Sequence, residues 1–142
     1  MSISQLSVFV ENKQGSMSGI AEVLADSGID IRALTIADTT DFGILRLIVK
    51  DAEKAKKVLQ SSGYVVSINQ VIGIEVQDIV GGLAKVLRIL DDAQVNIEYM
   101  YDFLAIKEDK AYIIIRVENN VKTTEILTHN GIRCISNDDI VF

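Results

Sequence analysis

Val8 and Val10 alternate with Phe9 and Glu11, the two-residue period of a strand. Asn12, Lys13, Gln14 and Gly15 break that period. Met17, Ile20, Ala21 and Leu24 then recur at three- and four-residue spacing, which is one face of a helix. Gly28 suits the left-handed stop after a helix, and Ile29 and Ile31 open a second strand around Asp30. Continued along the first half, the pattern predicts a strand over 4–11, a helix over 17–27 and a strand over 30–38. A hairpin turn at Thr39, Thr40 and Asp41 leads into a strand over 43–50. Asp51 caps the next helix, whose apolar stripe is Ala55, Val58 and Leu59. Gly63 ends that helix, and Tyr64 to Ile68 forms the fourth strand.

The second half repeats the order. VIGIEVQDIVGGLAKVLRILDDAQVNI, 71–97, parallels the opening stretch with a shift of 66 residues (81 − 15). That shift pairs Val10 with Val76, Asn12 with Asp78, Met17 with Leu83 and Leu24 with Leu90. It also pairs Asp30 with Asn96 and Ile31 with Ile97. Beyond the second hairpin the shift is 68, pairing Leu59 with Leu127 and Gly63 with Gly131. The change falls at Lys107 to Lys110, a polar turn where insertion is tolerated. In-register matches of this kind point to duplication. The fold class is therefore α+β, two ferredoxin-like βαββαβ units over 1–69 and 70–142. Each has a four-stranded antiparallel sheet with both helices on one face, since the crossovers are right-handed. Asn69 and Gln70 are the only polar link between the units, which are expected to pack as a pair.

A sheet covered on one side should alternate apolar and polar residues. Tyr112, Ile113, Ile114 and Ile115 are instead consecutive, as are Ile44 with Leu45 and Leu47 with Ile48 and Val49. The face away from the helices is thus expected to be covered as well, by the other half, by a second chain, or by both. A homodimer is the expectation.

Composition narrows the function. The chain has 142 residues, 49% hydrophobic and 24% charged, enough for a core and unlike a disordered chain. A net charge of −6 disfavours nucleic acid and anionic membrane. Cys134 is the only cysteine, which excludes an intrachain disulfide and fits a reducing compartment. The first residues show no secretory signal and no apolar run approaches the roughly 20 residues of a membrane span, so a cytoplasmic location is expected. The strand-to-helix corner at Gly15 leaves first-turn N–H groups facing a loop, with the positive end of the helix dipole behind them. Two readings fit: a site for a small carboxylate or phosphate, or an ordinary turn capped by Ser16.

The stretches VENKQGSMSGIAEVLADSGIDI and VQDIVGGLAKVLRILDDAQVNI resemble the ACT domain, a ligand-sensing module of amino-acid metabolism. The resemblance covers nearly the whole chain as two tandem copies. It implies domains paired side by side, with a free amino acid bound at an interface between domains or subunits. The ligand-binding positions it implies in the first half are Asn12, Gly15, Ser16, Met17 and Asp30. In the second half they are Asp78, Gly81, Gly82, Leu83 and Asn96. Loop N–H groups would take the ligand carboxylate, the polar side chains its ammonium group, and Met17 or Leu83 its side chain. No cofactor and no metal are implied. Many members carry proline before the glycine, where this chain has Gln14 and Val80. The second loop, DIVG, is more apolar than NKQG and reads as structural.

No enzyme is expected. His129 reads as an exposed helix end and Cys134 as packing. No His or Cys has metal-ligand spacing to another. Asp91 with Asp92, and Asp138 with Asp139, are sequence neighbours whose side chains diverge. Tyr99, Tyr101 and Phe103 share one strand face; an aromatic interface suits them better than RNA stacking in an acidic chain. The reading is a regulatory sensor of a free amino acid. The alternative is a regulatory subunit that docks on a separate enzyme of amino-acid metabolism.

Overall fold

The structure, a computed structural model, describes residues 2–38, 41–103 and 109–140. The chain divides into two compact units, Ser4–Asn69 and Gln70–Val141, the latter joined by Ile3. The first unit contains β1 (Ile3–Glu11), α1 (Ser16–Asp26), β2 (Ile31–Asp38), β3 (Phe42–Val49), α2 (Ala52–Ser61) and the start of β4 (Val65–Gln77). The second contains the rest of β4, then α3 (Gly82–Asp92), β5 (Tyr99–Asp102), β6 (Lys110–Arg116), α4 (Asn120–His129) and β7 (Cys134–Ile135). A short 3-10 turn, Asn137–Asp139, follows.

Strand order in the first unit is β2-β3-β1-β4, and in the second β5-β6-β4-β7. The pairings β1 with β3, β2 with β3, β4 with β6 and β5 with β6 are all antiparallel. Each unit is thus the expected ferredoxin-like sheet. The cores follow the repeat residue by residue. Leu6, Val8 and Val10 of β1 and Leu45, Leu47 and Val49 of β3 point to one face, where they meet Ile20, Leu24, Ala55 and Leu59 of the helices. In the second unit the same places belong to Ile72, Ile74 and Val76, to Ile115 and Val117, and to Val86, Leu90 and Leu127. Thr123 stands where the first half has Ala55 and is buried there. The opposite faces are buried too, at Ile48 in one unit and at Tyr101, Tyr112 and Ile114 in the other.

Several expected details differ. The fourth strand does not stop at Ile68; β4 runs on through Asn69 and Gln70 without a link. Side chains explain why those two polar residues stay extended. Ser7 Oγ donates to Asn69 Oδ1 at 2.7 Å, and Ser2 Oγ donates to Gln70 Oε1 at 3.1 Å. In the second half the strand expected from Val95 begins only at Tyr99, after Gln94 has taken the left-handed φ of +58° that Gly28 takes (+69°) in the first. The turn residues Thr39 and Thr40, and Lys107 and Glu108 of the expected insertion, lie outside the described residues. Tyr99 and Tyr101 stack at 6.4 Å, and Phe103 meets Tyr112 edge-on at 5.8 Å.

The helices that close each unit are capped conventionally. Asp51 accepts from the Lys54 N–H at 3.0 Å, and Asn119 accepts from the Lys122 N–H at 3.0 Å. Asp51→Ala should therefore lower the unfolding free energy by about 1 kcal/mol, measured by urea denaturation, with the native circular dichroism unchanged.

Candidate functional site: the two strand-to-helix corners

The corners after β1 and after β4 are built bond for bond alike. The N–H of Asn12 donates to the Asp41 carbonyl at 2.8 Å, and that of Asp78 to the Asp109 carbonyl at 2.8 Å. The Lys13 and Ile79 N–H groups bond the carbonyls two residues back, Glu11 and Gln77, at 3.0 and 2.9 Å. Ser16 N–H reaches the Lys13 carbonyl at 3.3 Å, where Gly82 N–H reaches Ile79 at 3.0 Å. Gly15 and Gly81 occupy the N-cap positions with φ of +87° and +86°. A side chain there would be strained, which is why both copies keep glycine.

Neither of these two helices has a side-chain cap. The expected Ser16 cap is therefore absent: Ser16 is already the first helical residue, and the N-cap, Gly15, has no side chain to accept with. Among the described residues no protein group accepts from the N–H of Met17 or Ser18, nor from that of Leu83 or Ala84. Two amides per corner are left at the positive end of a helix dipole. The contrast with the side-chain-capped α2 and α4 makes this a property of the corners rather than of the chain.

Each corner borders an open hollow within its own unit. The first, about 560 Å³, is lined by Gly15 and Ser16, by Phe9, Glu11 and Lys13, and across the gap by Phe42 and Ser62 to Val65. The second, about 290 Å³, is lined by Gly81 and Gly82, by Ile79, Val80 and Lys85, and across the gap by Glu75, Lys110 and Arg133. Of the ten positions implied by the resemblance, these hollows gather Gly15 with Ser16 and Gly81 with Gly82. Asn12 and Asp78 sit in the corners without lining the hollows. Met17 lies around the helix, exposed in a shallow apolar groove with Ile20, Ile31 and Leu34. Leu83 is exposed in the same way.

Asp30 precedes β2 and is ion-paired with Arg32. Asn96 precedes β5 and lines a separate polar depression beside Asn119 and Lys122. Asp30 and Asn96 are therefore not within their strands, and neither shares its own unit's hollow. Ile79 and Val80 of the second loop are exposed rather than packed.

Two clusters were not picked out from the sequence. Phe9 and Phe42 place their rings 5.8 Å apart on the wall of the first hollow. In the second, Glu75 bridges Lys110 at 2.9 Å and Arg133 at 2.8 Å, and Arg133 continues to Asp139 at 2.5 Å. The signal was a glutamate inside the apolar run Ile72 to Val76, at the place Phe9 holds under the 66-residue shift. Lys110, then Arg133, hold the Glu75 carboxyl below the usual carboxylate range, against the opposing push of burial. Burial pushes the Cys134 thiol up. His129 is exposed at the end of α4. Among the described residues there is no cluster of three metal-ligating side chains, and no helix is long and apolar enough to cross a membrane.

A depressed carboxyl contributes stability above its unfolded value, about 4.3, and loses it as pH falls through the folded one. Glu75→Gln should cost about 1 kcal/mol at neutral pH, since both cationic partners are solvent-screened. It should also flatten the decline in stability that the parent shows on acidification below about pH 5. Urea unfolding at several pH values reads both effects.

The sequence matches the ACT domain pair family over residues 1–142. The fold is similar to the crystal structure of protein BT0572 from Bacteroides thetaiotaomicron, with 41% identity and a TM-score of 0.91, covering 98% of this chain and 95% of that one. It is also similar in fold to the ligand-free regulatory subunit of aspartate kinase from Thermus thermophilus, at 16% identity and a TM-score of 0.67, covering 89% and 91%. The corresponding subunit from Thermus flavus gives 16% and 0.62, covering 89% and 90%. No curated protein matches the sequence. Two βαββαβ units, each opening its first helix on a left-handed glycine, and a family match spanning every residue lead to one assignment: this chain belongs to the ACT-domain regulatory family, as a pair of ACT domains.

Proposed function

We propose that the protein is a cytoplasmic homodimeric sensor that binds a free amino acid at the strand-to-helix corners, where a neighbouring domain or subunit closes over the ligand. The observation that carries this reading is the selective lack of caps on α1 and α3. Unpaired amides at a helix start favour a carboxylate. Asn12 and Asp78 supply polar groups at the corners, Asp30 and Asn96 would face a neighbour's ligand, and the exposed Met17 and Leu83 supply apolar contact. Binding produces a signal only through a difference in affinity between two arrangements of the protein.

A second reading, a regulatory subunit that docks on a separate metabolic enzyme, is favoured by Ile79 and Val80, branched aliphatic side chains that stand in solvent at a loop tip. A thermal-shift screen of the twenty amino acids separates the two. A true ligand at 100 times its dissociation constant should add about 2.7 kcal/mol of stability. Absence of any shift, together with a metabolic enzyme that co-purifies with the parent but not with Val80→Asp, would favour docking. Within the sensor reading, Asn12→Ala should weaken binding about tenfold, the scale of one lost hydrogen bond to a charged group, while the fold survives. Undiminished affinity in calorimetry would remove Asn12 from the site.

A further inference from the structure

We propose that the amino-acid site lies in the first hollow and not in the second, and that its ligand carries an apolar side chain. This rests on the sensor reading above and goes further, naming the half and the ligand class.

The duplication supplies an internal control, because each lining residue has an equivalent in the other copy. On the wall, Phe9, Phe42 and Val65 of the first half correspond to Glu75, Lys110 and Arg133 of the second, by shifts of 66, 68 and 68 residues (75 − 9, 110 − 42, 133 − 65). The apolar three remain 52%, 48% and 73% exposed, so the chain itself leaves them uncovered. The charged three satisfy one another through Glu75, whose side chain is only 11% exposed. An apolar group entering the second hollow would strip water from the ion network on its wall and meet exposed apolar surface only at the loop, at Ile79 and Val80. An apolar group entering the first would cover aromatic and aliphatic surface.

At the loop the polarity is reversed. Glu11 and Lys13 line the first hollow, and their equivalents 66 residues on are Gln77 and Ile79. Glu11 and Lys13 form an exposed pair at 3.1 Å, so a ligand can engage both with little desolvation cost. The first hollow therefore presents a carboxylate and an ammonium group beside Gly15 and Ser16 at one end, and an apolar wall at the other. That is the complement of an α-amino acid with an aliphatic or aromatic side chain. Glu11 receives the ligand's ammonium group. Lys13 takes its carboxylate, and its side chain lies against Phe9 and Phe42. The first hollow, about 560 Å³, is also the roomier of the two.

The test uses the full chain in calorimetry and thermal melts. The titrants are leucine, isoleucine, methionine and phenylalanine, set against aspartate, lysine, serine and asparagine. An apolar amino acid is expected to bind. Phe9→Ser and Phe42→Ser should weaken it by about tenfold or more. Both positions are half exposed, so the melt without ligand should hold, and circular dichroism checks that each variant is folded. Lys110→Gln, in the second hollow, should leave affinity unchanged. Binding of a polar or charged amino acid alone overturns the ligand class but leaves the sensor reading standing. Apolar binding that survives both Phe variants, or that Lys110→Gln abolishes, overturns the choice of half. Silence from all twenty amino acids removes the sensor reading itself, and this inference with it.

Discussion

The corner where a strand hands over to a helix through a left-handed glycine is the constraint on which the rest depends. A helix start needs acceptors for its first N–H groups, and the usual answer is a serine, threonine, aspartate or asparagine at the N-cap. Aspartate and asparagine do this for α2 and α4. At Gly15 and Gly81 the backbone turns through φ near +87° instead, which strains any residue bearing a side chain and so rules out a side-chain cap. Each such corner forgoes a few tenths of a kcal/mol of capping stability, the small cost of glycine at an N-cap. The repeat keeps that deficit twice, in the same place, while the surrounding core is filled with aliphatic side chains in register. The deficit is local, and it is confined to the loops at the ends of the sheets, where binding residues concentrate in a rigid scaffold.

Most of the fold was legible because two signals reinforced each other. Periodicity marked the strands and helices, and the 66- and 68-residue shifts showed that the same marks recur. Consecutive apolar residues such as Tyr112 to Ile115 announced a sheet buried on both faces, and Ile114 and Ile115 are indeed fully buried. Boundaries governed by side-chain partners were not legible. Asn69 and Gln70 read as a break, yet each is held extended by a serine some sixty residues away, which no local pattern reveals. Ser16 read as a cap because its residue type is right; the left-handed φ one residue earlier moved the cap position onto Gly15.

The site was less legible than the fold for a related reason. Family likeness carries positions along a chain, whereas a hollow is assembled from strands distant in sequence. Gly15 and Ser16 do line the first hollow, but Phe9 and Phe42 come from two strands and Tyr64 from the turn before β4, and none of the three carries a motif. Asp30 and Asn96 lie in the expected sequence places and still do not join their own unit's hollow. Between the two halves, a glutamate at 75 in place of the phenylalanine at 9 on a common backbone is a change of chemistry rather than of architecture.

That shared backbone also separates the corners mechanically. In the second, the Gly82 N–H bond to Ile79 is 3.0 Å, and a Cβ at residue 82 would run into the Gln77 carbonyl, so the turn is closed tightly. In the first, Ser16 takes the same place with a side chain, and the equivalent bond lengthens to 3.3 Å. Around the second corner, Glu75, Lys110, Arg133 and Asp139 tie β4 and β6 to the segment around β7. Around the first, the equivalent wall positions are apolar side chains with no ion pair joining them. A regulatory domain needs one element that can adopt two arrangements of similar free energy, and a charge-bonded corner raises the cost of moving. Duplication thus leaves one copy with a braced corner and the other with the longer turn bond and the uncovered wall that the proposed site in the first half requires.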